Sequence, residues 1–112
     1  MIQPRWHVPL AEIMAEVATR PIDARFAIPI RHGTMSVEVY APLGEDRQTP
    51  HRQDELYIVI SGQAEFVKEG VRVAVGPQDL LFVEAGAQHR FEHFSQDFAT
   101  WVVFWGPDGG ES

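Results

Sequence analysis

The sequence predicts an all-β fold of antiparallel strands, a barrel or jelly roll, with one short N-terminal helix. From residue 25 onward, short apolar or alternating segments recur roughly every 8–12 residues between turns that contain Gly and Pro, as is typical of this class. No helices alternate with these segments, as a parallel sheet would require. We therefore expect residues 1–24 to form an N-terminal segment that carries the helix, and residues 25–112 to form a single barrel domain.

The helix is predicted from one apolar stripe. An apolar residue recurs at the i, i+3, i+4 and i+7 positions of a single helix face, namely at Leu10, Ile13, Met14 and Val17. Pro9 suits the first turn of this helix, and Pro21 ends the pattern. So short a helix is not stable alone in water, so we expect its stripe to pack against another element.

The strands are predicted from period-two alternation and from short apolar runs. Residues 34–40 (TMSVEVY) alternate and indicate a half-buried strand, whereas Pro29 interrupts a weaker strand signal at 25–28. Residues 41–50 are rich in Pro, Gly and charge, so we expect a loop whose acidic side chains are solvated. Further strands are expected at residues 55–60, 64–67, 71–75, 80–83, 89–94 and 98–105.

Composition excludes several classes of protein. A chain of 112 residues suffices for one domain with one core, and the absence of cysteine excludes disulfides and thiolate metal sites. A formal charge of −7 argues against nucleic acid or an anionic membrane as the main partner. Apolar runs fall short of the roughly 20 residues of a membrane span, and residues 1–6 do not resemble a signal peptide. We expect a cytoplasmic protein.

Two predicted strands have an outer face that is apolar. In the strand at 55–60, Glu55, Tyr57 and Val59 share one face, and the opposite face is entirely apolar. The strand at 98–105 (FATWVVFW) repeats this feature. If one face lines a pocket, the other would be an exposed apolar patch on a monomer. We expect the helix to cover one such patch and a second subunit to cover another, which predicts a homodimer.

Residues around positions 51 and 89 have a distinctive order and spacing. His51 and Glu55 precede Gly62, with six residues between Glu55 and Gly62, and Gly86 stands three positions before His89. This spacing resembles the two sequence motifs of the cupin superfamily. Residues 79–86 (DLLFVEAG) are similar to the hairpin that the family places before its second motif. The resemblance extends over residues 34–105. It implies a small β-barrel, usually dimeric, with an internal metal ion bound by three His and one Glu.

Three positions depart from the motifs. Thr49 stands where the family has its first His, Glu84 replaces a Pro, and His93 replaces the closing Asn. The remaining candidate ligands are His51, Glu55 and His89. Two imidazoles and one carboxylate suit Fe, Mn, Ni or Zn as a divalent ion and leave coordination positions open. The alternative is that these residues are polar remnants in the mouth of the barrel and bind nothing.

Four further residues are candidates for the pocket. Gln53 lies two positions from both His51 and Glu55, so on a regular strand it would point the same way as a weak ligand or water-binding group; otherwise it is a solvent-facing loop residue. His93 shares a predicted strand face with His89, either beside the metal or as a structural histidine. Tyr57 and Trp101 are chosen among the aromatic residues because each has a polar group.

The function that the resemblance implies is binding of a small organic ligand at a metal ion in the barrel. Such a protein could be a dioxygenase, or an isomerase or lyase that uses the metal as a Lewis acid. One carboxylate on a divalent ion leaves a net positive centre, which favours an anionic or enolisable ligand. The alternatives are a non-catalytic sensor or small-molecule-binding protein, and a purely structural dimer. Fold analogy by itself does not name a substrate.

Overall fold

A computed structural model describes residues 5–112, and the first four residues lie outside the described part of the chain. The interpretation of residues 1–6 as unlike a signal peptide therefore falls mostly outside it. One helix and eight strands are present in the described residues: α1 Leu10–Val17, β1 Phe26–His32, β2 Met35–Tyr40, β3 Asp54–Ser61, β4 Ala64–Lys68, β5 Val71–Val75, β6 Leu80–Val83, β7 His89–Glu92 and β8 Ala99–Trp105.

The strands form two antiparallel sheets with a jelly-roll arrangement, which confirms the predicted fold class. The large sheet has the order β1-β2-β8-β3-β6, and the small sheet has the order β5-β4-β7. The side chains between the sheets form a cluster that includes Tyr57 and Val102 from the large sheet and Phe66 and Phe91 from the small sheet. Both sheets thus bury one face in a shared core, as sandwiches do.

The helix covers part of the outer face of the large sheet. Ile13 and Val17 are fully buried against Ala27, Val39 and Ala99. The predicted packing of the apolar stripe is therefore confirmed, although its first residue, Leu10, is 39% exposed. No helix within residues 5–112 is long and apolar enough to cross a membrane.

The strand β1 runs through Pro29, where the sequence indicated an interruption. It extends to His32 because β1 is an edge strand of the large sheet and its pairing with β2 shifts register between Ala27 and Ile30. Proline lacks a backbone donor and is tolerated at sheet edges and bulges. The bulge therefore accommodates the proline without ending the strand.

The two faces of β2 are both covered, by different parts of the protein. Val39 is fully buried under the helix. Glu38 and Tyr40 lie on the opposite face and line a cavity, and Glu38 is paired with Val102, a residue of the core between the sheets. Directly opposed residues in a sheet share a face, so the polar half of this alternating strand points inward.

Asp46 differs from its expected place among solvated loop charges, because it is only 6% exposed. Its carboxylate accepts hydrogen bonds from the Tyr40 hydroxyl at 2.6 Å and from the Phe91 backbone N–H at 2.8 Å. Tyr40 belongs to the large sheet and Phe91 to the small sheet, so Asp46 ties the loop 41–50 to both sheets.

Candidate metal centre

The three predicted metal ligands converge at one end of the space between the sheets. His51 lies three residues before β3, Glu55 is the second residue of β3, and His89 is the first residue of β7. Since β3 and β7 belong to facing sheets, the fold brings together residues that are 34 positions apart. One ligand atom from each residue lies within 4.8 Å of those of the other two, so a single ion could bind all three.

One oxygen of Glu55 lies between the two imidazoles. Glu55 Oε1 is 2.9 Å from His51 Nδ1 and 2.7 Å from His89 Nε2. The side chains of Glu55 and His89 are fully buried, whereas that of His51 is 30% exposed. The cluster is therefore closed on the side of the core and open to the exterior only at His51.

The hydrogen bonds of His89 indicate that the cluster needs a cation. His89 Nδ1 lies 2.9 Å from the carbonyl oxygen of Ala87, which only accepts, so Nδ1 carries a proton. In the neutral ring Nε2 then has a lone pair, and this lone pair points at a carboxylate oxygen of Glu55. Two acceptors at 2.7 Å need a cation between them, which is either a proton or a metal ion.

The second oxygen of Glu55 supports the same conclusion. Glu55 Oε2 is buried and has no hydrogen-bond partner among residues 5–112. A buried carboxylate oxygen without a partner is costly. A divalent ion next to Glu55 would relieve this cost, so the donor set of His51, Glu55 and His89 fits such an ion.

In the absence of metal the cluster shares a proton. Burial favours the neutral form of Glu55, but hydrogen bonds and charge from His51 and His89 outweigh it and lower the pKa of Glu55. Burial likewise opposes a charged His89, but Glu55 and the Ala87 carbonyl raise the pKa of His89. Metal binding requires the lone pair of Nε2 and therefore displaces this proton.

Tyr57 lies beside the cluster, on the interior face of β3. Its hydroxyl oxygen is 3.1 Å from His89 Nε2 and 2.8 Å from Gln48 Oε1. Burial, followed by the charge of Glu55, raises the pKa of Tyr57 well above its ordinary value. The hydroxyl therefore keeps its proton at any ordinary pH and is a hydrogen-bond donor.

Gln53 is held away from a regular strand position. Its amide nitrogen donates to the carbonyl oxygens of Thr34 and Gly106, each at 2.9 Å. Gln53 would point the same way as His51 and Glu55 only if strand alternation extended to residues 51 and 53, but β3 starts at Asp54. The amide of Gln53 therefore binds backbone carbonyl groups and does not reach the ligand cluster.

The structure places His93 and Trp101 away from the ligand cluster, in contrast to the predicted pocket. The imidazole of His93 pairs with Glu65 and is 73% exposed, because β7 ends at Glu92 and His93 adopts a positive φ of 50° that breaks the alternation. Trp101 packs with the cluster under the helix, on the outer face of the large sheet. The inward-facing residues of β8 are instead Thr100 and Val102, which pair with Val59 and Tyr57 of the interior face.

A cavity of about 720 Å³ opens next to His51. Its wall is formed by residues from the start of β1, from β2, from the loop 41–50 and from β8. These residues include Phe26, Glu38, Tyr40, Leu43, Gln48 and Phe104. Sequence reasoning missed Glu38 and Gln48. The available signal was the alternation of β2, which separates Glu38 from Val39, but it did not indicate which face points inward.

Glu38 has an unusual environment within this wall. Its carboxyl is partly buried and lies near the charged groups of His51, Glu55 and Arg31. Burial raises the pKa of Glu38 to about 7, while the nearby His51 lowers it and Glu55 adds to the rise. Glu38 is therefore a carboxyl that changes charge near neutral pH on the wall of the cavity.

Comparison with known proteins identifies the family. A family model described as "Cupin domain" matches residues 36–105. A protein of Streptomyces coelicolor described as "Uncharacterized protein SCO3923" is 38% identical over 101 residues, which cover 88% of this chain and 94% of that protein. Both similarities include the residues of the ligand cluster.

Solved structures with the same architecture extend the comparison. A Cupin 2 conserved barrel domain protein from Salinispora arenicola aligns with a TM-score of 0.67 at 20% identity, covering 91% of this chain and 89% of that chain. KdgF from Halomonas sp. aligns with a TM-score of 0.63 at 16% identity, covering 73% of this chain and 77% of that chain. These structures share the fold of this chain, and the family model over residues 36–105 shows that the chain belongs to the cupin family.

Proposed function

We propose that this protein binds a divalent transition metal through His51, Glu55 and His89 and holds a small organic ligand in the adjacent cavity. The observation that carries the proposal is the lone pair of His89 Nε2 directed at a buried carboxylate oxygen. The partnerless second oxygen of Glu55 supports it independently. Fe, Mn, Ni and Zn all accept this donor set.

The cavity suits a ligand of mixed character. Its wall combines apolar side chains such as Leu43 and Phe104 with the charged groups of Arg25 and Glu38, and His51 connects it to the ligand cluster. A bound ion would supply Lewis acidity or, as iron, dioxygen activation. The apolar side chains would limit water, His51 would face the ligand, and Glu38 could accept or donate a proton at its carboxyl group.

These features support two reaction classes, an isomerase or lyase and a dioxygenase. Glu38 favours the first, because shifting a proton within an enolisable ligand needs a group that changes protonation near neutral pH. The alternative is a non-catalytic binding or sensor protein. Thr49, which replaces the first motif histidine, is exposed and supplies no further imidazole, so the ion would have fewer protein ligands than the family pattern implies.

Metal analysis of protein purified without a nickel column tests the metal part of the proposal. Wild-type protein exchanged into Co²⁺ should retain about one ion per chain, and Glu55→Gln should retain none because the charged ligand is lost. Glu65→Gln is a matched control, since Glu65 also pairs with a histidine but lies outside the cluster. Equal Co²⁺ retention by wild type and Glu55→Gln would exclude this site.

Turnover is tested separately from metal binding. Oxygen uptake by the iron-loaded protein, with diketones and phenols as probes, should reveal a dioxygenase. Product formation without oxygen, followed by NMR, should reveal an isomerase or lyase. A metal-loaded protein that binds probes and turns over none of them would favour the sensor alternative.

We also propose that the protein is a homodimer. The outer face of β3 and β6 is apolar, and Ile58, Leu80 and Phe82 on it are 40%, 64% and 48% exposed. Ile58 is directly paired with Leu80, so the patch is continuous, and such a patch is typical of an interface. Light scattering after size exclusion should give twice the chain mass for wild type and the monomer mass for Leu80→Glu. A monomeric wild type would contradict this.

A further inference from the structure

We infer that Gln48 is a positioning residue that keeps His89 Nε2 available for the metal ion by fixing the direction of the Tyr57 hydroxyl. The inference rests on the proposed metal function. It concerns a chain of hydrogen bonds from the loop 41–50 to the ligand cluster, and it follows from which atoms can donate and which can only accept.

The orientation of the Gln48 amide is determined by Asp46. Asp46 Oδ2 accepts from the Phe91 backbone N–H and from Gln48 Nε2, both at 2.8 Å. Asp46 Oδ1 accepts from the Gln48 backbone N–H at 3.2 Å and from the Tyr40 hydroxyl at 2.6 Å. A carboxylate oxygen would repel an amide oxygen, so the amino group of Gln48 faces Asp46. The amide oxygen of Gln48 consequently points towards Tyr57.

The orientation of the Tyr57 hydroxyl follows from that of Gln48. Its oxygen is 2.8 Å from Gln48 Oε1 and 3.1 Å from His89 Nε2. A hydroxyl has one proton, and an amide oxygen cannot donate, so the Tyr57 proton goes to Gln48. Tyr57 therefore presents a lone pair, and no proton, to His89.

This arrangement leaves His89 Nε2 without a competing donor. Its other nitrogen is held by the Ala87 carbonyl, so Nε2 is the nitrogen that must give up the shared proton and present its lone pair to a metal ion. If Gln48 could not accept, the Tyr57 hydroxyl could turn and donate to this lone pair, because its oxygen lies 3.1 Å from Nε2. Metal binding would then have to break this hydrogen bond.

Co²⁺ affinity, measured by isothermal titration calorimetry, tests the inference. Gln48→Leu should bind Co²⁺ about 10- to 100-fold more weakly than wild type, the range that loss of such an outer hydrogen-bond partner produces. The double variant Gln48→Leu with Tyr57→Phe should recover to within about threefold of wild type, because no hydroxyl remains to compete for Nε2. A merely structural role for Gln48 predicts that the double variant is at least as weak as the single one.

Gln53→Leu is a matched control. It makes the same chemical change and removes two hydrogen bonds, to the Thr34 and Gly106 carbonyls, but Gln53 does not reach the cluster. Its Co²⁺ affinity should equal that of wild type. In metal-free Gln48→Leu, at a pH high enough to remove the shared proton, the ¹⁵N resonance of His89 Nε2 should move in the direction of an accepted hydrogen bond, and this shift should vanish in the double variant.

The outcomes separate the two hypotheses. If wild type binds no Co²⁺, the proposed metal function fails. If wild type binds and Gln48→Leu binds equally well, or the double variant stays as weak as Gln48→Leu, the role of Gln48 is overturned while the metal site stands. If Leu at position 48 prevents folding, Gln48→Met, which has a similar length and is a poor acceptor, carries the same expectations.

Discussion

Glu55 belongs to the ligand cluster and Glu38 to the wall of the adjacent cavity, and their carboxyl groups have contrasting surroundings. Glu55 is the more buried of the two, yet its pKa is lowered because two imidazoles lie within 2.9 Å of one oxygen. Burial raises the pKa of Glu38 to about 7, and the charges of His51 and Arg31 oppose this rise without cancelling it. The comparison shows that the partner, more than the depth of burial, decides the charge of an interior carboxyl here.

The same difference separates two roles in the proposed function. The cluster around Glu55 is a set of acceptors that needs a cation. The wall around Glu38 is a place where a partner for the carboxyl would come from a ligand. Four experiments test this distinction, and the one with the strongest predicted change comes first.

His89→Ala should have the largest effect, because it removes both a metal ligand and a partner of the buried Glu55. Loss of one partner from a buried charged pair costs about 3–5 kcal/mol of folding stability. We expect a loss of this size in urea unfolding of the metal-free protein, together with loss of Co²⁺ binding. Unchanged stability and Co²⁺ binding would show that the pairing of Glu55 does not determine its charge.

Glu38→Gln should increase folding stability, whereas His89→Ala should decrease it. In the folded protein the pKa of Glu38 is about 7 instead of 4.5, so stability falls as pH rises from 4.5 through 7, and the full cost is present above that range. The shift corresponds to roughly 3 kcal/mol. Metal-free Glu38→Gln should therefore be more stable than wild type by about 1–3 kcal/mol at pH 8 and close to wild type at pH 4.5.

Urea unfolding at the two pH values measures this difference. Glu45→Gln is the control, since Glu45 is an exposed cavity-rim carboxylate paired with Arg47 and should not change stability in a pH-dependent way. A Glu38→Gln variant that is no more stable than wild type at pH 8 would mean that Glu38 has a hydrogen-bonded partner in solution.

Co²⁺ should change the pH dependence of stability by replacing the shared proton. Since the pKa of His89 is raised from 6.5, its stabilisation is complete below pH 6.5 and is lost as pH rises through the raised value. The pKa of Glu55 is lowered from 4.5, so its stabilisation is present above pH 4.5 and is lost at lower pH. The increase in Tm on adding Co²⁺ should therefore be larger at pH 8 than at pH 6. Equal increases at both values would contradict proton displacement.

His93→Ala should have the smallest effect. His93 also pairs with a glutamate, Glu65, and this pairing lowers the pKa of Glu65, but the imidazole is 73% exposed. Exposed ion pairs contribute little to stability because water screens them. We expect no measurable change in the Tm or in Co²⁺ affinity. A clear loss would mean that exposure does not distinguish this pair from the buried one.

The sequence predicted the fold and the ligand cluster from local signals, and it missed the features that depend on how the sheets face each other. Strand alternation and turn residues located β2 to β8 to within a few positions, and motif spacing identified His51, Glu55 and His89. The same signals misplaced His93 and Trp101, because neither the end of β7 at Glu92 nor the outer orientation of Trp101 can be derived from polar character alone.

By itself the sequence determined which residues alternate, where the chain turns and which imidazoles and carboxylate are spaced as metal ligands. These properties are local, since period-two alternation and turn chemistry act over a few residues. Long-range packing places Glu38 on the cavity wall, buries Asp46 and brings Gln48 within hydrogen-bond distance of Tyr57. Those outcomes depend on pairing across strands and on a loop that contacts both sheets, and such contacts join residues far apart in the chain.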